Sequence, residues 1–214
     1  MKTILNTLVL SVLMLCVILP VQAEKQHYSI DAQKSYIRLL VYKKGALQFF
    51  GHNHVISHSK IQGDVVRNTS NIDRSRFIIN LAVNQFTVDD KAERQKSGDA
   101  FSLDIDSEDA QATKNNMLRA EVLDSENYPD IIIRGAIGRD AGQYIAHADI
   151  NIKGVARKYS LPIDLVFSDD SMTCKGSFSV KQSDFGIQPF SLLGGMLAVQ
   201  DSLDVVFSIS MTRL

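Results

Sequence analysis

Apolar and polar residues alternate with period two along most of the chain, the pattern of β-strands that bury one face. Ile37, Leu39 and Val41 alternate with Arg38, Leu40 and Tyr42, and Phe77, Ile79, Leu81 and Val83 with Ile78, Asn80, Ala82 and Asn84. The longest run is C-terminal, where Val199, Asp201, Leu203, Val205, Phe207, Ile209 and Met211 share one parity. Further strands are expected over 61–66, 131–135, 144–153, 159–167 and 172–180. Turn-forming stretches separate them: Asn68-Thr69-Ser70-Asn71, Asp140-Ala141-Gly142, Lys153-Gly154 and Ser168-Asp169-Asp170-Ser171. Two-sided alternation belongs to antiparallel sheets, because parallel sheets are buried on both faces and read as solid apolar runs. About eight such strands predict an all-β barrel or sandwich.

The period changes over 107–123. Ser107-Glu108-Asp109-Ala110 reads as a helix start, with helix-favouring residues before Met117 and Leu118. One helix is expected there, with Pro129 ending any continuation and leading into Ile131-Ile132-Ile133. The N-terminus fits neither pattern. Lys2 precedes an apolar run over 4–19, followed by Pro20 and Val21-Gln22-Ala23, the layout of a cleavable signal peptide. Cleavage is expected after Ala23, leaving one domain over 24–214 in a periplasmic or secreted protein. A retained anchor is the alternative, but the run falls short of the roughly 20 residues a spanning helix needs. Lipidation at Cys16 is disfavoured by the bulky Leu15 before it, and no other segment is apolar enough to span a membrane.

The 23 basic and 24 acidic residues give a net charge of -1, and loss of 1–23 takes away one lysine. That balance excludes a nucleic-acid binder driven by counterion release. Outside 1–23 only Cys174 remains, so no internal disulfide can form. Its setting, Met172-Thr173-Cys174-Lys175, reads as that of a small buried hydrophobe. No G-x-S-x-G elbow, phosphate loop or dinucleotide fingerprint is present. Asp184-Phe185-Gly186 and His52-Asn53-His54 match kinase and nuclease signatures in letters only, since the motifs that accompany each are missing. Asp89-Asp90 and Asp169-Asp170 read as solvated turn residues. The chain is therefore expected to bind rather than catalyse.

Two sites suggest themselves. Strand faces closing into a barrel would turn Ile37, Leu39, Val41, Phe77, Ile79, Leu81, Ile150, Ile152, Phe178, Leu203, Val205 and Phe207 inward. Phe49, adjacent to Phe50, is a candidate for the barrel mouth. An eight-stranded interior holds either packed side chains or one small ligand, and the same pattern serves both. The second candidate is a metal site. If their segment is extended, His52, His54 and His58 share a parity and present imidazoles suited to Zn or Cu. No Cys pair or carboxylate motif stands beside them to complete such a site.

Four segments in order resemble the YceI-like family of exported proteins. Tyr28-Ser29-Ile30-Asp31, with Ser35 and Ile37, is similar to the family's opening strand, and Asn127-Tyr128-Pro129-Asp130-Ile131 to its entry into a strand after a helix. Ile150-Asn151-Ile152-Lys153-Gly154-Val155-Ala156-Arg157 is similar to its hairpin, and Ser183-Asp184-Phe185-Gly186-Ile187 to a segment before its last strand. The resemblance spans roughly 28–212. It implies a lipocalin-like antiparallel barrel of about eight strands with a mid-chain helix. It also implies a tunnel for a long apolar chain: a polyisoprenoid, an isoprenoid quinone or a fatty-acid derivative. Where many relatives are apolar, Gly51-His52-Asn53-His54 is polar, which points to a head group or a metal at the mouth. A homodimer or a membrane-enzyme partner is compatible with the same barrel.

Overall fold

The computed structural model describes residues 25–214; the expected signal peptide over 1–23 lies outside them. In chain order the elements are β1 (Lys25–Ile30), β2 (Tyr36–Val41), β3 (Lys43–Lys44), β4 (His54–His58), β5 (Gln62–Asn68), β6 (Arg76–Ala82) and β7 (Thr87–Val88). Two helices follow, α1 (Lys91–Gln95) and α2 (Ser107–Leu118). Then come β8 (Asp130–Asp140), β9 (Gln143–Ile152), β10 (Val155–Phe167), β11 (Ser171–Lys181), β12 (Ser191–Leu192), β13 (Leu197–Val199) and β14 (Ser202–Arg213). Strands β1-β5-β6-β8-β9-β10-β11-β14 form an antiparallel barrel that closes where β1 pairs with β14.

The barrel's second half is a run of hairpins set by local turns. Ala141-Gly142 and Lys153-Gly154 all have positive φ, and each pair forms a two-residue loop between registered partners, Asp140 with Gln143 and Ile152 with Val155. Such turns match the right-handed twist of the strands they join. Gly154 also seats the Tyr128 ring, which a Cβ there would approach to 2.8 Å. The Tyr-Pro strand entry and the Lys-Gly hairpin are thus one packed unit.

The first half is built from three broken strands. β1 and β2 are halves of one strand interrupted by a 3-10 turn at Ala32–Lys34. The Asp31 carboxylate caps that turn by accepting from the Gln33 N–H at 3.1 Å. Ser35 Oγ donates to the Asp31 carbonyl and accepts from the Ser210 N–H, which ties the break to β14. β4 with β5, and β6 with β7, break at the matching level. The halves β1, β5 and β6 stay in the barrel, whereas β2, β4 and β7 pair with one another and β2 with β14. Beyond Ala82, β6 ceases to pair with β8, so the wall parts at this end between β7 and β8. The two helices occupy the connection across that gap.

α2 begins where Asp106 accepts from the Asp109 N–H at 2.8 Å, with Glu108 and Asp109 favouring the positive end of the helix dipole. It stops where Arg119 turns extended. None of its residues is fully buried. It agrees with the helix expected over 107–123, while α1 carries no apolar period and was not anticipated.

Three expectations are corrected. The C-terminal alternation over 199–211 is not one strand, because Gln200 and Asp201 leave the ladder: Gln200 N–H donates to Tyr42 O, and Asp201 O accepts from Gln182 N–H. Val199 therefore lies on β13 and Leu203 on β14. Phe49 is not on a strand, since Gln48–Phe50 form a 3-10 turn that leaves Phe49 67% and Phe50 72% exposed. Asp89 is no solvated turn residue: its side chain is wholly buried.

A candidate ligand cavity with a polar mouth

The inward faces of the barrel strands enclose a cavity of about 150 Å³ with an entirely apolar lining. Engineered apolar cavities of about this size stay dry and take up small hydrophobic guests. The void has a residue-level cause. On the β8–β9 register Gly135 faces Ala148 and Ile137 faces Ala146, and both alanines line the cavity. The two alanines leave room at the middle of the wall, where larger side chains would fill the interior, whereas the space over Gly135 is taken by the Phe77 ring. Ile133 and Ile150, also partners, line it nearer the mouth.

Ile37, Leu39, Phe77, Ile79, Leu81, Ile150, Ile152, Phe178, Val205 and Phe207 all line this cavity. Val41 and Leu203 line a second void of about 230 Å³ beneath α2. The two voids share Leu39, Phe86, Ile131, Ile152 and Val180, so they adjoin across those side chains. Phe49 lines neither. Residues unanticipated as wall include Ile131, Ile133, Leu161, Ile163 and Ile209, each readable from the same period-two pattern. Met117, Val122 and Leu123 were not readable, because α2 and its following turn reach the mouth only through tertiary packing. Cys174 is also a wall residue; burial, with Asp164 adding to it, pushes its thiol up to about 12. It is thus protonated and unreactive at neutral pH, in keeping with its reading as a small hydrophobe.

Ser183-Asp184-Phe185-Gly186-Ile187 forms one side of the mouth. Gly186 takes the left-handed conformation that ends a 3-10 turn, which buries Phe185 and Ile187 against the void. The remaining mouth lining includes polar His54, Thr113, Asn116, Lys181 and Gln182. The lining is therefore apolar inside the barrel and mixed at the opening.

A buried polar network stands behind His54. The Asp89 carboxylate accepts from His54 Nδ1 at 2.6 Å, from the Val55 N–H at 2.9 Å, and from Arg94 Nη1. Arg94 also donates to the Asn53 and Leu103 carbonyls. Burial alone would raise the Asp89 carboxyl, but the bonds from His54, Val55 and Arg94 hold it below its ordinary value of 3.8. With Nδ1–H directed at a carboxylate, Nε2 is the ring atom of His54 left for another partner. Asp89 itself sits at φ 55, an uncommon backbone state for a residue with a side chain. No sequence signal links His54 to an aspartate 35 positions away.

The three histidines do not converge on one point. Their parity is common, but His52 lies outside β4, and the rise of a strand puts His58 about 13 Å from His54. His58 is 1% exposed, with Nε2 bonded to the Ala82 carbonyl and its ring edge-on to Phe86. His52 packs its ring against His54, with centroids 4.7 Å apart. Among the described residues no three His, Cys, Asp or Glu side chains are grouped to hold a metal ion.

Burial lowers the His58 imidazole below 6.5. The unfolded chain therefore takes up the proton first, and stability is expected to fall as pH drops below 6.5, by up to ~1.4 kcal/mol per pH unit. His58→Leu should flatten that part of the decline. Thermal unfolding of both proteins across this range tests it, and equal slopes would refute the assignment.

The structure resembles the crystal structure of Burkholderia cenocepacia BcnA at TM-score 0.61 and 16% identity, over 85% of this chain and 98% of that one. It also resembles that of a Campylobacter jejuni YCEI protein at TM-score 0.49 and 10% identity, over 72% of this chain and 81% of that one. No curated protein matches the sequence. The model of the YceI-like domain matches residues 28–211, nearly everything from the first barrel strand to the last, and the chain belongs to the YceI-like family.

Proposed function

We propose that the protein is an exported, non-catalytic carrier or sequestering protein for an amphiphile with a long apolar chain. The family and the apolar barrel make it a binding protein for hydrophobic ligands. The carrying observation is a pair of adjoining apolar voids, one at the centre of the barrel and one at a mouth with polar groups. A polyisoprenoid, an isoprenoid quinone or a fatty-acid derivative has the matching division, an extended hydrocarbon and a polar end. Burial of the tail supplies affinity at about 25 cal/mol per Å² of apolar surface, offset by the cost of ordering the chain. His54, oriented by Asp89, and the neighbouring Asn116 and Lys181 offer hydrogen bonds to the head group.

The protein isolated from its own host is expected to carry a discrete extra mass in native mass spectrometry. That mass should be lost on denaturation and extracted into organic solvent. A bare polypeptide that also ignores added isoprenoid lipids would overturn the proposal. The mass of the polypeptide itself reads the cleavage expected after Ala23.

A further inference from the structure

Beside the mouth the chain builds a projection that the cavity does not explain. β13 pairs with β3 on one side and β12 on the other, and the Leu47 N–H donates to the Met196 carbonyl at 2.8 Å. Gly45, at φ +102, lies so close that a Cβ would come within 2.3 Å of that carbonyl. The two loops are therefore held as one body. Its surface is unusually apolar for groups left in water: Phe49, Phe50 and Leu193 are 67%, 72% and 70% exposed, and Leu192 and Met196 nearly half. The Phe49 and Phe50 rings lie 4.4 Å apart, so they form one patch. A clustered patch, unlike scattered apolar residues, marks an interaction surface.

Charge narrows the partner. Residues 43–51 and 186–200 include Lys43 and Lys44 and not a single Asp or Glu, in a chain with 24 acids. The flanking acids are Asp184, which is exposed, and Asp201, which is bonded to the backbone and hydroxyl of Ser183 and lies near Lys181 and Lys44. A symmetric contact between two copies would bring the lysines no counter-charge beyond these flanking acids. An anionic bilayer supplies both acyl chains for the phenylalanines and phosphates for Lys44 and Lys43, whose Nζ otherwise donates to the Gly51 carbonyl. Phe190 joins the patch to the cavity, since it is 44% exposed and lines the mouth void.

We propose that this projection docks the protein onto anionic membrane surfaces with its cavity mouth beside the lipid. The inference is separable from the carrier reading, because docking is measured on protein stripped of ligand. The chain isolated after expression of the full sequence is floated with phosphatidylglycerol–phosphatidylethanolamine vesicles and, in parallel, with phosphatidylcholine vesicles. Binding to the anionic vesicles is expected, weakened by salt. Phe49→Ser with Phe50→Ser should reduce it about tenfold or more, and Lys44→Glu should reduce it while leaving the melting temperature unchanged. No binding by the parent protein, or equal binding by the double variant, overturns the proposal. So does a parent dimer that the double variant dissolves in the absence of vesicle binding, which would assign the surface to a second copy.

Discussion

Asp89→Ala is expected to destabilise the protein by about 3–5 kcal/mol, the cost of stranding a buried charge whose partner has been removed. The partner is Arg94, 3% exposed, whose Nη2 already lacks a hydrogen-bond acceptor among the described residues. Removing the carboxylate would also free the Val55 N–H and the His54 ring and unpin α1, which reaches β2 through the Arg38–Glu93 ion pair. Urea unfolding measures the loss, and a change below about 1 kcal/mol would show that the network contributes little. The same pairing makes an acid-side prediction. Because the folded carboxyl titrates below 3.8, its stabilisation is complete above that pH and fades as pH falls toward the folded value. The variant should lose this part of the acid dependence.

Ala148→Phe is expected to cut uptake of a long-chain ligand about tenfold to hundredfold, because the ring would occupy space that the tail needs. The position is chosen on register: Ala148 faces Gly135 on one neighbouring strand and Tyr159 on the other, and it lines the barrel cavity. If the void is a true binding space, the ring enters it with little change in melting temperature. If the interior is in effect a packed core, the substitution acts as overpacking and costs about 1–3 kcal/mol in stability. Ligand content and thermal unfolding of the same preparation separate these outcomes. Unchanged uptake in a folded variant would remove the barrel interior as the ligand site.

Much of the wall was legible residue by residue. Ile37 and Leu39, Phe77, Ile79 and Leu81, and Val205 and Phe207 face the cavity because a strand sends alternate side chains to opposite faces. Two-residue turns such as Lys153-Gly154 were legible for a similarly local reason, a backbone state that one glycine makes cheap. Where reading failed, a second segment had intervened. Phe49 and Phe50 were placed by Met196, about 150 positions away, which holds Leu47 in a turn rather than a strand. Asp89 looked like one of two solvated acids until β4 brought His54 and Val55 against it. The histidine triplet had the right parity and the wrong separation, because parity is set by the strand and convergence by the fold.

The sequence by itself therefore determined the all-β class, the inward face of most strands, the helix after the broken strands and the family resemblance. Each of these depends on neighbours within a few positions. The tertiary structure alone decided that Ala146 and Ala148 of β9 face a void inside the barrel, that α2 stands at its mouth, and that His54, Asp89 and Arg94 share one buried network. Those features depend on which distant segments pair, and period two is blind to register between strands.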